Sequence, residues 1–307
     1  MEVACGQCLG CRIDRSRRWA MRCVHEASLY DSTNGNSFVT LTYRDRIACD
    51  QEQLNRGFHI PDDWSLSVPW WDEQGRQRSS HFQAFMKRLR KVVPQKVKFY
   101  QCGEYGKICK HGVDLEESSC AFCNLGRPHH HALLFNLSFP DLEAYSVQNG
   151  RTRYTSRILE GLWPYGFVDV GQVTMESAGY VARYCMKEIT GELAEEHYRS
   201  IDMDGEVHEL APEYSSMSNG IGKAWLAKYR DDVYPSDEVP VPGTGVLRGV
   251  PRYYDEILRC ENEDLYEEVK AKREQGRMDS ADEYTPERLM DRYKVKKAQL
   301  AHLRKTL

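Results

Sequence analysis

The chain has 307 residues, of which 41% are apolar and 29% are charged, and its formal net charge is −4. This composition supports a real hydrophobic core and predicts a soluble protein of the cytosolic type. No run of 18 apolar residues is present and the N-terminus does not resemble a secretory signal, so neither a membrane span nor secretion is expected. The 11 cysteines are therefore expected to be thiols or metal ligands rather than disulfides.

The predicted elements alternate between helix and strand over the first 190 residues. Helices are predicted at 16–29, 80–93 and 177–189, with shorter ones at 142–144 and 156–162. Strands rich in β-branched and aromatic residues are predicted at 38–43, 96–104, 129–135 and 167–173. This order predicts an α+β fold, in which a central antiparallel sheet has its helices packed on one face.

The charge distribution divides the chain into three parts. Residues 1–190 form the predicted core, with a cysteine- and glycine-rich insertion at 105–127. Residues 191–285 carry about twice as many acidic as basic residues and are predicted to be an appended, mostly irregular region with a short helix at 223–229. Residues 286–307 are predicted to form a basic C-terminal helix.

The third predicted strand contains three consecutive histidines. Because side chains alternate along a strand, His129 and His131 point to one side and His130 to the other. The first pair could hold one divalent metal ion. The alternative is a surface histidine cluster, or a histidine satisfied in the core.

Two further features lie on neighbouring elements. Glu104 ends the preceding strand and can add a carboxylate oxygen to the two imidazoles, although a glutamate beside a glycine is often a turn residue. Tyr180, Tyr184 and Lys187 share one side of the last predicted helix. A phenol is a weak nucleophile at neutral pH, but a nearby cation favours its phenolate form. The alternative is that these tyrosines pack in the core.

Together these motifs resemble the HUH endonucleases, and most closely the replication initiators of Microviridae phages, in particular gokushoviruses. The resemblance covers residues 1–230. It is carried by the strand 38–43, the histidine motif 127–135, the two-tyrosine motif 180–187, the N-terminal cysteine motif 5–12 and the segment 161–167. His130 departs from the family pattern, in which a bulky apolar residue stands between the two ligands.

The resemblance implies both a fold and a reaction. The core would be an HUH endonuclease domain, with His129, His131 and Glu104 holding Mg²⁺ or Mn²⁺. Tyr180 or Tyr184, assisted by Lys187, would nick single-stranded DNA at the viral origin, leaving a 5′-phosphotyrosine and a 3′-OH for the host DNA polymerase. The second tyrosine would later attack the regenerated origin, and the released 3′-OH would seal the displaced strand. The site of action would be the host bacterial cytoplasm, where residues 191–285 could bind a host helicase.

The cysteines predict a second kind of metal site. Cys109, His111, Cys120 and Cys123 lie in the insertion with spacings that suit a structural Zn²⁺. Cys5, Cys8 and Cys11 could form another site or supply ligands to the first. The alternative is a set of reduced thiols in a mobile loop.

Phosphate contacts are predicted for two basic clusters, while three aromatic residues could stack on bases. The basic residues are Arg17, Arg18, Lys87, Arg88, Arg90 and Lys91; the aromatic ones are Trp70, Trp71 and Tyr105. Solvated helix faces are the alternative for the basic clusters. Two competing functions remain at this point, namely a zinc-dependent DNA-binding regulator without catalysis and a metallohydrolase in which water attacks.

Overall fold

The computed structural model describes residues 8–44, 65–67, 70–71, 77–109, 111–148, 150–184, 192–201, 205–234 and 236–306. Contacts between residues divide the chain into two compact units. One comprises Ala27–Ile221, and the other combines Met1–Glu26 with Gly222–Leu307. None of the described helices has the length and apolar character needed to cross a membrane.

The unit Ala27–Ile221 is built on a seven-stranded sheet. Its strands are β1 (Asn36–Tyr43), β4 (Lys98–Tyr105), β5 (Pro128–Phe135), β6 (Glu143–Gln148), β7 (Arg151–Thr155), β8 (Gly166–Gly171) and β11 (Tyr214–Met217). They lie in the order β11-β4-β5-β1-β8-β7-β6, and all neighbours are antiparallel. Two short hairpins pair β2 (Trp70–Trp71) with β3 (Gln77–Arg78), and β9 (Arg199–Ile201) with β10 (Val207–Glu209). The α+β class and the antiparallel sheet are thus confirmed.

One side of the sheet, here called the core face, carries the hydrophobic core. Along β1, Val39 and Leu41 are fully buried on this side, whereas Thr40 and Thr42 alternate onto the other side, here called the site face. The core face is covered by α2 (His81–Val92) and α3 (Arg157–Leu162), whose apolar residues join the same cluster.

A third helix lies on the site face. Helix α4 (Met175–Tyr184) contacts β4 and β5, and its Tyr180 ring meets Phe38 of β1 edge-on. Ala178 and Ala182 are buried on this helix, and such small residues allow close approach to the sheet. Helices therefore lie on both faces, where packing on one face was predicted. Helix α5 (Glu192–His197) completes the helices of this unit.

The second unit is largely helical. Its elements are α1 (Leu9–Ser28, which ends in the first unit), α6 (Lys223–Val233), β12 (Glu238–Val241), β13 (Gly245–Arg248), α7 (Arg252–Glu261), α8 (Glu263–Asp279), a 3₁₀ turn (Ala281–Tyr284) and α9 (Pro286–Thr306). The acidic stretch is more regular than its composition predicted, because Tyr254, Leu258 and Val269 are buried among many charged positions. The C-terminal helix was predicted correctly.

Most predicted elements agree with the structure to within a few residues, but one is wrong. The short helix expected at 142–144 is instead part of strand β6, which pairs with β7. Leucine, glutamate and alanine are good helix formers, and here strand pairing overrides that local preference. The predicted helix 177–189 begins at Met175 and continues to Tyr184, and its remainder lies outside the described residues.

Candidate active site

Two neighbouring strands bring the three predicted metal ligands together. In the register of β4 and β5, Glu104 lies directly opposite His129. His131 is two residues further along β5 and points to the same side. Oε1 of Glu104 lies 2.7 Å from Nε2 of His129 and 2.7 Å from Nε2 of His131. The side chains therefore converge on the site face of the sheet.

The other ring nitrogen of each histidine has a partner that fixes the orientation of the ring. Nδ1 of His129 donates to the carbonyl oxygen of Arg127 at 3.0 Å, because a carbonyl can only accept. Nδ1 of His131 lies 2.9 Å from the hydroxyl of Thr40 on β1. Such partners are typical of metal-binding histidines, since they direct Nε2 toward the metal. Sequence reasoning missed both, because strand alternation shows which side Thr40 faces but not which residue lies opposite it.

Glu104 is a buried carboxylate, with only 2% of its surface exposed. Burial raises the pKa of Glu104, but the charges of His131 and His129 and their hydrogen bonds lower it further, so that the pKa lies well below its ordinary value. The carboxylate is therefore ionised at neutral pH and can act as a ligand.

The donor set fits a divalent metal ion. Two imidazole nitrogens and one carboxylate oxygen lie within 4.8 Å of one another. Three ligands on one side leave further coordination positions for a phosphate oxygen and water. Nitrogen and oxygen donors suit Mg²⁺ and Mn²⁺ better than softer ions do, as long as no thiolate joins the set.

Tyr180 reaches the same point from the helix on the site face. Its hydroxyl lies 3.3 Å from Nε2 of His131 and 3.3 Å from Oε1 of Glu104. Its ring meets the His131 ring edge-on at a centroid distance of 5.0 Å. The hydroxyl is therefore adjacent to the atoms that could bind a metal, and the half-buried ring is not simply core packing.

The other two residues of the tyrosine motif cannot be placed in the same way. Tyr184 ends the described part of α4, and its side chain is outside the described structure. Lys187 lies beyond the described residues altogether. Their position on the Tyr180 side of the helix stays a prediction from helical spacing.

The middle histidine is separated from the other two by the sheet. His130 is fully buried on the core face, among Phe82 and Trp163, with its Nε2 3.3 Å from the hydroxyl of Tyr43. Burial lowers the pKa of His130 to about 3, so its imidazole is neutral. His130 therefore takes the core position that the family fills with an apolar residue.

The predicted DNA-contacting basic residues are not gathered at this site. Lys87, Arg88, Arg90 and Lys91 lie on α2, on the core face. Of these, Arg88 donates to the carbonyl of Leu162, and its guanidinium also lies over the Tyr165 ring. Arg17 and Arg18 are exposed on α1, in the part of that helix that belongs to the other unit. Their contacts with phosphate stay a prediction.

Among the aromatic residues proposed to stack on bases, Tyr105 is a wrong prediction. It is 7% exposed, and its hydroxyl donates to Ala211 and accepts from the backbone amide of Leu66. It packs in a small apolar cluster at the end of β4 and cannot offer a face to a base. The side chains of Trp70 and Trp71 lie outside the described structure.

The insertion brings its four predicted zinc ligands together. One donor atom from each of Cys109, His111, Cys120 and Cys123 lies within 4.8 Å of the others. This cluster has four ligands of its own and needs none from the N-terminal motif. In that motif the sulfur atoms of Cys8 and Cys11 are 3.4 Å apart at the start of α1, and Cys5 lies outside the described residues.

Comparison with known proteins places this site in a family. The profile of the phage replication-associated protein family described by its member ORF2 matches residues 36–189, half of the chain. The chain belongs to this replication-associated protein family. The matched segment begins with β1 and includes Glu104, His129, His131 and Tyr180, so the whole converging site lies within the family domain.

Individual relatives extend over more of the chain. Replication-associated protein VP4 of Bdellovibrio phage phiMH2K is 29% identical over 87% of the chain and 71% of its own length. Replication-associated protein ORF2 of Spiroplasma virus 4 is 29% identical over 89% of the chain and 73% of its own length. Replication-associated protein ORF4 of Chlamydia phage 1 is 28% identical over 84% and 53%. No solved structure matches the chain significantly.

Proposed function

We propose that the protein initiates phage DNA replication by nicking single-stranded viral DNA at the origin, with a tyrosine as nucleophile. The observation that carries the proposal is the position of the Tyr180 hydroxyl, 3.3 Å from both Glu104 and His131. The replication-associated relatives support the biological role. Single-stranded origin DNA is the substrate, and the host polymerase and helicase are the expected partners.

In this reaction the phenol oxygen forms a bond to the scissile phosphorus as the bond from phosphorus to the 3′ oxygen breaks. The phenol gives up its proton, and the leaving 3′ oxygen gains one, so that a 5′-phosphotyrosine and a free 3′-OH result. The 3′-OH serves as the primer. The reverse exchange, with the second tyrosine as nucleophile, rejoins the displaced strand without ATP.

Glu104, His129 and His131 would hold Mg²⁺ or Mn²⁺, which polarises the scissile phosphate when it is bound. The residues themselves contribute geometry. Arg127 and Thr40 hold the imidazoles in place, and α4 presents the phenol at the open side of the ligands. Because a phenol has a pKa of about 10, a cation next to Tyr180 favours the phenolate at neutral pH.

The cysteine cluster would hold a different metal. Thiolates are soft ligands that select Zn²⁺ over Mg²⁺ or Mn²⁺. The chain would therefore carry a catalytic ion at Glu104 and a structural zinc ion at the insertion. A non-catalytic zinc regulator would also contain the second site, but it gives no reason for a tyrosine hydroxyl beside the first.

The proposal predicts a covalent protein–DNA adduct. Labelled single-stranded oligonucleotides that tile the viral genome are incubated with the protein and Mn²⁺, then separated on a denaturing gel. The wild type should give a shifted band that protease removes. Tyr180→Phe should reduce its initial rate at least about 10-fold, and the double variant with Tyr184→Phe should form none, because each tyrosine can serve as the nucleophile.

Tyr284→Phe provides the matched control, because this tyrosine is half exposed on the 3₁₀ turn of the other unit. It should give as much adduct as the wild type. Cleavage without an adduct would favour attack by water, and an unchanged adduct in the double variant would rule out both tyrosines.

A further inference from the structure

The four ligand atoms of the insertion have the separations of a tetrahedral zinc site. Nδ1 of His111 lies 3.3 Å from the sulfur of Cys123, 3.4 Å from that of Cys120 and 4.0 Å from that of Cys109. Zinc with Zn–S bonds of about 2.3 Å and Zn–N bonds of about 2.0 Å separates sulfur and nitrogen ligands by roughly 3.5 Å. Three thiolates and one imidazole form a closed structural site.

We infer that zinc bound by Cys109, His111, Cys120 and Cys123 fastens the insertion to residues 196–201, the segment that follows the tyrosine helix, and steadies the ligand His129. The fastening rests on geometry within one unit. Its consequence for nicking rests on the proposed function.

The outer side of the zinc cluster is attached to the segment after the tyrosine helix by three contacts. Cys123 forms an isolated antiparallel bridge with Ser200. The amide of Ile201 donates to the carbonyl of Phe122 at 2.8 Å, and the side-chain amide of Asn124 donates to the carbonyl of Glu196 at 3.1 Å. Each contact uses a zinc ligand or one of its immediate neighbours, so a zinc ion that fixes this loop also fixes residues 196–201.

An apolar cluster backs these polar contacts. Tyr198 is buried with Leu125, which lies two residues after the last zinc ligand, and with Tyr105 at the end of β4. The backbone amide of Leu210 donates to the carbonyl of Tyr198 at 2.7 Å. The chain leaving the tyrosine helix is therefore held against the insertion, and only residues 185–191 separate α4 from α5.

The inner side of the insertion leads directly to the catalytic ligands. The carbonyl of Arg127 accepts from the amide of Gly106 at 2.9 Å and from Nδ1 of His129 at 3.0 Å. The amide of Arg127 donates to Ile108, the residue just before the first zinc ligand. A loop closed by zinc therefore fixes the carbonyl that orients His129, and partners of this kind change metal affinity by about 10- to 100-fold.

Zinc content is the first test, on the whole 307-residue chain. The double variant Cys120→Ser with Cys123→Ser should contain about one zinc ion per chain fewer than the wild type, by mass spectrometry of the metal. His111→Cys should keep the ion, since four cysteines also bind zinc. Cys260→Ser, at an exposed thiol on α7, is the control and should change nothing. Equal zinc in the wild type and the double variant would overturn the site.

His111→Cys and cobalt substitution keep the test informative if the double variant does not fold. Wild-type protein exchanged with Co²⁺ should show thiolate-to-cobalt absorption, and His111→Cys should increase it because a fourth sulfur joins the metal. A wild type that binds neither zinc nor cobalt through thiolates contradicts the inference.

The fastening has its own test, hydrogen exchange at 199–201 with and without a chelator. Removal of zinc should accelerate exchange of the Ile201 amide about 10-fold or more, because its acceptor, Phe122, lies between two zinc ligands. Affinity for Mn²⁺, measured by electron paramagnetic resonance, should fall about 10-fold or more. Unchanged exchange would refute the fastening, and unchanged Mn²⁺ affinity would refute the coupling to His129.

None of these readouts uses DNA, so they separate this inference from the proposed function. Tyr180→Phe should lose the adduct and retain its zinc. A protein that binds zinc and never forms an adduct would sink the nicking proposal alone.

Discussion

At the scale of single residues, three consecutive histidines have different environments because a strand alternates its sides. His129 and His131 share Glu104 on the site face, whereas His130 is enclosed by aromatic rings on the core face. Its Nδ1 has no hydrogen-bond partner among the described residues. The same side chain can thus be a ligand or a neutral core residue, and its position in the strand decides which.

Replacing His130 with leucine should therefore leave metal binding intact and stabilise the protein. A buried polar atom without a partner costs about 1–3 kcal/mol, and an apolar side chain of similar size removes that cost. Tyr43 keeps the hydrogen bond of its hydroxyl with His81 at 3.1 Å. We expect the free energy of unfolding to rise by roughly 1 kcal/mol in urea titrations.

His131→Leu is the comparison, since it should abolish Mn²⁺ binding by removing Nε2 from the ligand set. A loss of Mn²⁺ binding in the His130 variant as large as in the His131 variant would contradict the assignment of ligands.

At the scale of elements, the site depends on the register of β4 with β5 and on the helix behind them. Helix α2 begins with a capping box, in which the Ser80 hydroxyl accepts from the amide of Gln83 and the Gln83 side chain accepts from the amide of Ser80. Phe82 and Phe85 follow and pack against the core face. The cap thus fixes where the helix begins and which residues face the sheet.

Ser80→Ala should lower the free energy of unfolding by about 1 kcal/mol, because the buried first turn loses its acceptor. Nicking at a temperature well below the transition should be unchanged, since α2 and the metal ligands lie on opposite faces. Ser79→Ala is the control, as its hydroxyl only accepts a hydrogen bond from Lys87. If urea titrations show equal effects for the two variants, the capping box does not stabilise the helix.

Much at this scale could be predicted from the sequence, for identifiable reasons. Helix α2 has apolar residues at strict helical spacing, and the histidine strand is a continuous buried run, so both were found within two residues. Strands β7 and β11 were missed because they are short, polar and partly exposed. Convergence of Glu104 with the histidines depends on register, which local sequence does not contain.

At the scale of the whole molecule, charge and burial are distributed unevenly over the two units. The unit with the sheet contains both metal-ligand clusters among the described residues. In the other, the core includes a histidine: the His25 ring stacks on Trp225 at 3.5 Å, and its Nε2 donates to the carbonyl of Pro240 at 3.0 Å. Nδ1 must then accept from the hydroxyl of Tyr254 at 2.8 Å, so the neutral ring is satisfied on both sides.

This buried histidine predicts that acid destabilises the second unit. Burial lowers the pKa of His25 to about 4 from an ordinary value of 6.5. Between these two values the unfolded chain binds a proton that the folded chain does not, so stability present above pH 6.5 is lost as the pH falls toward 4. The full loss amounts to roughly 3 kcal/mol.

The measurement is urea unfolding between pH 7.5 and 4.5, read from amide protection of the Lys223–Val233 helix so that the effect is assigned to this unit. His25→Gln keeps a donor and an acceptor but does not titrate, and it should show a clearly smaller loss of stability with acid than the wild type. His197→Gln, at a half-buried histidine of the other unit, should behave like the wild type. Equal pH slopes in all three proteins would mean that carboxylates, and not the stacked imidazole, determine the acid sensitivity of this unit.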